Sequence, residues 1–142
     1  NIENSLVLDL FSGTGSFGIE CISRGAKKVV FFENYPEALE ILKKNLNLFK
    51  NINNHEIYNK NFFDFFLSNT NFDLKFDIIF IDPPYRETKI NEIINIIFEK
   101  KLLIQNGILI IHRHKKDDIK ISNKLNILED RSYGISKILF GN

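Results

Sequence analysis

SLVLDLFSGTGSFGIECISRGA, Ser5 to Ala26, decides the fold. Ser5 to Leu10 is a short apolar run interrupted by Asp9, the composition of a buried strand. It runs into a turn, Phe11-Ser12-Gly13-Thr14-Gly15. From Ser16 the apolar residues Phe17, Ile19, Cys21 and Ile22 take a helical pattern, which stops at Arg24-Gly25, where glycine suits a C-cap. Strand, glycine turn and helix in that order are the opening of a βαβ unit.

The pattern continues outward from there. Lys28 to Glu33 is a second strand, and Pro36 fits the first turn of a helix that carries Ala38, Leu39, Ile41, Leu42, Leu46 and Phe49 at spacings near 3.6. His55 to Tyr58 is a weak third strand, and Phe62 to Leu67 a short helix. Phe76 to Ile81 is the fourth strand; Lys89 to Lys100 is an amphipathic helix with Ile93, Ile94, Ile97 and Phe98 inward; Gly107 to His112 is the fifth strand. Leu125 to Arg131 and Ile135 to Phe140, separated by Tyr133-Gly134, form a closing antiparallel hairpin. Alternating strands and helices predict an α/β fold: a Rossmann-like, doubly wound, mostly parallel sheet with the hairpin at one edge, in a single three-layer domain. Asn45 to Asn54 is polar enough for a loop but too short for a linker.

Size and composition bound the rest. The 142 residues fit one domain, and 44% hydrophobic with fourteen Phe is ample for a core. The one Cys excludes an intramolecular disulfide, and a reducing cytoplasm is the expected compartment. No apolar run approaches the roughly 20 residues of a membrane span. The chain contains no Met, so it is expected to be part of a longer protein. A net charge of +1 decides nothing about a nucleic-acid partner. The three His and one Cys show no metal-ligand spacing, and no metal is expected.

Gly13-Thr14-Gly15-Ser16-Phe17-Gly18 matches G-x-G-x-x-G, a pattern that also arises from packing alone. Glu33 ends the second strand at about the spacing expected for an acid that accepts ribose hydroxyls. Asp9 distinguishes among nucleotides. A dinucleotide lays its pyrophosphate on the helix N-terminus. A carboxylate fixed beside that phosphate would repel it by roughly 4 kcal/mol at about 4 Å and an effective dielectric near 20. S-adenosylmethionine has no phosphate and carries two positive groups, which Asp9 would help to hold. Asp9 could equally bond backbone N–H groups of the glycine loop, and the two roles can coexist. Asn61 and Phe62, after the third strand, are placed near an adenine, Asn61 toward its amine and Phe62 offering a backbone N–H and an apolar wall. Asn61 is equally suited to capping the helix that follows. The cofactor-contacting set is thus expected to comprise Asp9, Phe11, Gly13, Gly15, Glu33, Asn34, Asn61, Phe62 and Asp82.

Asp82-Pro83-Pro84-Tyr85 ends the fourth strand, next to the first. Two prolines stop a strand, and each keeps the residue before it extended. The bend is therefore stiff. It suits an acceptor constellation in which the Asp82 carboxylate and the Pro83 carbonyl take both N–H groups of a flat amine while Tyr85 stacks on its ring. Asp82, Pro83 and Tyr85 are the expected catalytic residues; Pro84, Tyr85 and Arg86 are expected against the substrate.

These four residues resemble the (N/D)PP(Y/F/W) motif of class I methyltransferases that act on planar nitrogens. With Asp9-Leu10-Phe11-Ser12-Gly13-Thr14-Gly15-Ser16-Phe17-Gly18-Ile19-Glu20 and Ser23-Arg24-Gly25-Ala26, the chain resembles the bacterial 16S rRNA (guanine(966)-N(2))-methyltransferase family over nearly its whole length. The resemblance implies S-adenosylmethionine as cofactor, Glu33 on its ribose, Asn61 and Phe62 near its adenine, and methylation of a guanine N2 amine in 16S rRNA or the assembling small subunit. It implies a methyltransferase domain over 1–142 that lacks the family's upstream basic segment; a monomer is expected. Where the family often has an acid near the end of the fifth strand, this chain has His112-Arg113-His114-Lys115-Lys116, expected to be a solvated strand end rather than an RNA contact. The competing readings are a DNA adenine-N6 methyltransferase, for which no target-recognition region is visible, an NAD-dependent oxidoreductase, which leaves Asp9 and Asp82-Pro83-Pro84-Tyr85 unexplained, and a non-catalytic Rossmann-like binding module.

Overall fold

The computed structural model describes residues 1–49, 52–68, 71–84, 88–117 and 120–142. Among these residues the elements run β1 (Leu6–Leu10), α1 (Ser16–Ser23), β2 (Lys28–Phe32), α2 (Pro36–Asn47), β3 (His55–Tyr58), α3 (Phe62–Leu67), β4 (Phe76–Ile81), α4 (Ile90–Glu99), β5 (Leu103–His114), β6 (Ile127–Tyr133) and β7 (Ser136–Gly141). All seven strands form one sheet in the order β3-β2-β1-β4-β5-β7-β6. The first five are parallel; β7 runs antiparallel beside β5, and β6 closes the edge as a hairpin partner of β7. This is the expected α/β architecture.

Side chains alternate across a strand, and the alternation sorts the core into two layers. Leu8, Leu10, Val30, Phe32, Ile79 and Ile81 pack with α3 and α4 on one face. Val7, Val29, Phe31 and Ile78 pack with Cys21 of α1 and Leu39, Leu42 and Leu46 of α2 on the other. Helix α4 supplies the densest stripe: Ile90, Ile93, Ile94 and Ile97 are fully buried. Each such side chain contributes about 1.5–3 kcal/mol of hydrophobic stabilisation. No helix among the described residues is long and apolar enough to cross a membrane.

Strand boundaries differ from the sequence expectation at β5 and in the hairpin. Strand β5 begins at Leu103, four residues before Gly107, because Leu103 pairs with Phe76 across an irregularity that restores register at Ile78–Ile108. At its other end β5 reaches His114, because β7 pairs with it as far as Ser136. The hairpin strands start later than expected. Leu125 is buried in the core instead of extending the edge strand, and Asn126 and Asn142 exchange backbone hydrogen bonds of 2.9 and 3.1 Å that close the hairpin.

Candidate active site

The strand order reverses at β1, which has β2 on one side and β4 on the other. A crevice opens at such a switch point, outside the carboxyl ends of the strands. Register determines what projects into it. Leu10 is level with both Phe32 and Ile81, so the next residues, Glu33 and Asp82, flank Phe11 on either side. Each neighbour is about 4.8 Å away laterally, so Glu33 and Asp82 stand roughly 10 Å apart. Parity determines the face. Asp9 follows Val7, Glu33 follows Phe31, and Asp82 follows Ile78 and Phe80, so all three acids lie on the α1–α2 side.

The turn between β1 and α1 makes room for them. Phe11 has a φ of 57°, an uncommon value for a residue with a side chain, and Gly13 and Gly15 also have positive φ. Gly18 serves a different purpose. A Cβ there would run into the Phe31 ring and lie 2.9 Å from Asp9 Oδ2. Its absence lets the first turn of α1 settle on β1 and β2, and lets the Gly18 N–H donate to Asp9 Oδ2 at 3.0 Å. Glu33 spans the turn: its Oε2 accepts from the Gly13 N–H at 2.7 Å and its Oε1 from the Tyr35 N–H at 2.8 Å.

The resulting groove has a volume of about 780 Å³, within the usual range for small-molecule sites. Asp9, Glu33 and Asp82 line it, together with Phe11, Gly13, Asn34, Pro83 and Pro84. No Lys or Arg is among its described lining residues. The acids act on one another there. Burial, opposed by the Gly18 hydrogen bond and reinforced by the charges of Asp82 and Glu33, pushes the Asp9 carboxyl up from 3.8 to about 7. Of the two roles expected for Asp9, the backbone bond is present, accepted from Gly18 N–H in the first turn of α1, and the side chain also lines the groove.

Of the expected cofactor contacts, Asp9, Phe11, Gly13, Glu33, Asn34 and Asp82 come together on this groove. Gly15 does not line it; that glycine is buried against Leu42 and Ile19 and shapes the turn from behind. Asn61 and Phe62 line a smaller adjoining cavity that shares Phe11, Glu33 and Asn34 with the groove. Asn61 caps α3: its Oδ1 accepts from the N–H groups of Phe63 and Asp64 at 2.9 and 3.2 Å. Tyr85 and Arg86 lie outside the described residues.

Groove residues that sequence reasoning missed include Phe17 and Phe80, which stack at 4.0 Å between ring centroids and form an apolar wall. Alternation along β4 could have placed Phe80 on the Asp82 face. Nothing local shows that it meets Phe17. Within the segment from His112 to Lys116, Lys115 and Lys116 are exposed as expected, and His112 to His114 correct the expectation. Instead of a solvated strand end, Arg113 is buried and ion-paired with Asp117. His112 Nδ1 lies 2.7 Å from Asp82 Oδ1. Pairing with β7 holds this end of β5 against the sheet instead of releasing it to solvent. His112 to His114 line a second cavity of about 190 Å³, and Asp82 and Pro83 line both that cavity and the groove. Among the described residues no cluster of three or more His, Cys, Asp or Glu side chains is placed to hold a metal ion.

The whole chain, residues 1–142, matches the family described as Conserved hypothetical protein 95. The chain belongs to that family. The ribosomal RNA small subunit methyltransferase D of Haemophilus influenzae is 32% identical over 135 residues, covering 94% of this chain and 69% of the relative. That of Buchnera aphidicola from Acyrthosiphon pisum is 38% identical over 118 residues, covering 83% of this chain and 60% of the relative. A solved structure of a conserved hypothetical protein of Streptococcus pyogenes superposes with a TM-score of 0.86 at 29% identity, over 99% of this chain and 87% of that one. Both of these curated relatives are named as methyltransferases of small-subunit ribosomal RNA, in agreement with the rRNA methyltransferase family that the glycine turn and Asp82-Pro83-Pro84-Tyr85 resemble. The site residues present fit S-adenosylmethionine. A groove lined by three carboxylates and no described cation suits a sulfonium and an ammonium, and opposes a pyrophosphate.

Proposed function

We propose that this protein methylates the exocyclic N2 amine of a guanine in 16S rRNA, as part of the small ribosomal subunit or its assembling precursor. The observation that carries this reading is the position of Asp82 and Pro83, which form a common wall between the acidic groove and the smaller cavity beside it. The small-subunit substrate is supported by the relatives, and the planar amine by the acceptor chemistry of the bend.

S-adenosylmethionine, when bound, supplies an electrophilic methyl group. The protein's own part is to hold cofactor and amine and to orient them. Glu33, at the far side of Phe11 from Asp82, accepts ribose hydroxyls, and Asn34, Asn61 and Phe62 extend the site toward the adenine. Asp9 and Asp82 favour positive charge across the groove. The target guanine is taken out of its stack at a cost of a few kcal/mol. Its amine donates one N–H to the Asp82 carboxylate and the other to the Pro83 carbonyl, while Tyr85 stacks on the ring and Pro84 and Arg86 contact the RNA. This orientation lowers the barrier by fixing the geometry of attack. The negative charge of Asp82 stabilises the positive charge that grows on nitrogen.

Two measurements test the proposal. S-adenosylmethionine is expected to raise the melting temperature and NAD to leave it unchanged; the reverse would favour an oxidoreductase. Undermethylated small-subunit particles are expected to accept methyl groups from wild-type protein. Asp82→Ala should bind cofactor within a few-fold of wild type and transfer at least about 100-fold more slowly. Transfer at the wild-type rate by this variant would remove Asp82 from the mechanism. Product analysis that placed the methyl on adenine N6 or on protein would replace the substrate.

A further inference from the structure

His112 was expected to be a solvated basic residue, and instead it meets Asp82. The contact follows from the sheet. Ile81 of β4 and Ile111 of β5 are parallel partners, so Asp82 and His112 are the next residues on adjacent strands and point to the same face. His112 Nδ1 lies 2.7 Å from Asp82 Oδ1. Neither backbone is free to drift: the Asp82 N–H donates to the Leu10 carbonyl at 3.4 Å, and His112 is paired with Ile138 of β7. Both side chains border the 190 Å³ cavity that shares Asp82 and Pro83 with the groove.

A carboxylate has only acceptors, so the ring nitrogen facing it must carry the proton. The terminal torsion of an aspartate is broad and roughly two-fold, so an unheld carboxylate samples many planes. A donor on Oδ1 selects one of them. It also leaves a single oxygen, Oδ2, to work with the Pro83 carbonyl.

We propose that His112 is a positioning residue for methyl transfer: its Nδ1–H holds Asp82 Oδ1 so that Oδ2 and the Pro83 carbonyl present one fixed pair of acceptors to the target amine. This inference rests on the amine-acceptor role proposed for Asp82. His112 touches neither cofactor nor reacting nitrogen and acts through Asp82.

The test is a double-variant cycle on undermethylated small-subunit particles, read as single-turnover methyl transfer. His112→Ala is expected to lower the rate constant roughly tenfold, with the S-adenosylmethionine dissociation constant unchanged. His112→Asn, whose amide nitrogen comes near the position of Nδ1, should recover most of the rate, and His112→Gln, whose amide falls nearer Nε2, should not. In the Asp82→Ala background, His112→Ala should cost nothing more, because the partner is already gone. Nitrogen-15 spectra of the cofactor-free protein supply a readout independent of activity. The His112 proton should sit on Nδ1 in the wild type and leave it in Asp82→Ala. A wild-type rate for His112→Ala, equal rates for the Asn and Gln variants, losses that add in the double variant, or an Nδ1 that carries no proton in the wild type would each overturn the proposal. Should His112→Ala fail to fold, the Asn and Gln pair carries the comparison. A wild-type rate for Asp82→Ala overturns the amine-acceptor reading itself; normal loss in Asp82→Ala with none in His112→Ala overturns only the role of His112.

Discussion

Asp9 is only 1% exposed and faces the two other acids of the groove. Its folded carboxyl titrates near 7, raised first by burial and then by Asp82 and Glu33. The folded state therefore keeps a proton that the unfolded chain gives up above about 4. The stability this contributes is complete below the unfolded value and is lost as pH rises through 7. Asp9→Asn keeps an acceptor for Gly18 and never ionises. The variant should match wild type only below about pH 4, gain on it as pH rises toward 7, and exceed it at pH 8 by about 4 kcal/mol at most, in denaturant melts of cofactor-free protein. Its affinity for S-adenosylmethionine at pH 8 should fall, because the charge that destabilises the empty groove is the one that holds a cation. No gain in stability at pH 8 would show that Asp9 is not strained by its ionisation. The presence of an acid at this position was legible in the sequence, as a charge ending a buried strand. Its depth was not, since burial depends on how closely α1 approaches.

That approach is governed by Gly18. The turn glycines were visible as a pattern, but the pattern does not separate a glycine needed for its backbone from one needed for its missing side chain. In α1, Gly18 belongs to the second kind: its Cβ would strike the buried Phe31 ring. Gly18→Ala should push α1 outward, cost about 1–3 kcal/mol by overpacking, and lengthen the Asp9 hydrogen bond. A lowered melting temperature together with weaker cofactor binding checks this; an unchanged pair of values would mean that Phe31 gives way freely. Strand β5 shows the opposite limit. Its core was legible from the apolar run Ile108 to Ile111, yet its ends are set by partners. Leu103 is drawn in by Phe76, and His112 to His114 by β7. The same pairing that extends the strand turns a segment expected in solvent into a wall of the site.

Over the whole molecule, the groove is assembled from β1, β2 and β4, with α1 covering it, whereas the β6 edge strand is exposed along its length. Cofactor binding should therefore slow amide exchange at 11–18, 33–35 and 82 and leave 127–133 unchanged, while raising global stability by about 2.7 kcal/mol at 100 times the dissociation constant. Exchange measured by mass spectrometry checks this, and uniform protection of β6 would place the ligand elsewhere. The sequence by itself determined the order of strands and helices, the class of fold, the glycine turn and the identity of the three acids. Each of these is written in local spacing, since hydrophobic period and turn chemistry involve only near neighbours. Tertiary structure alone decided which of those acids share a face and that His112 meets Asp82. Those facts depend on strand order and register between segments far apart in the chain, and no local pattern encodes which rungs of two strands lie side by side.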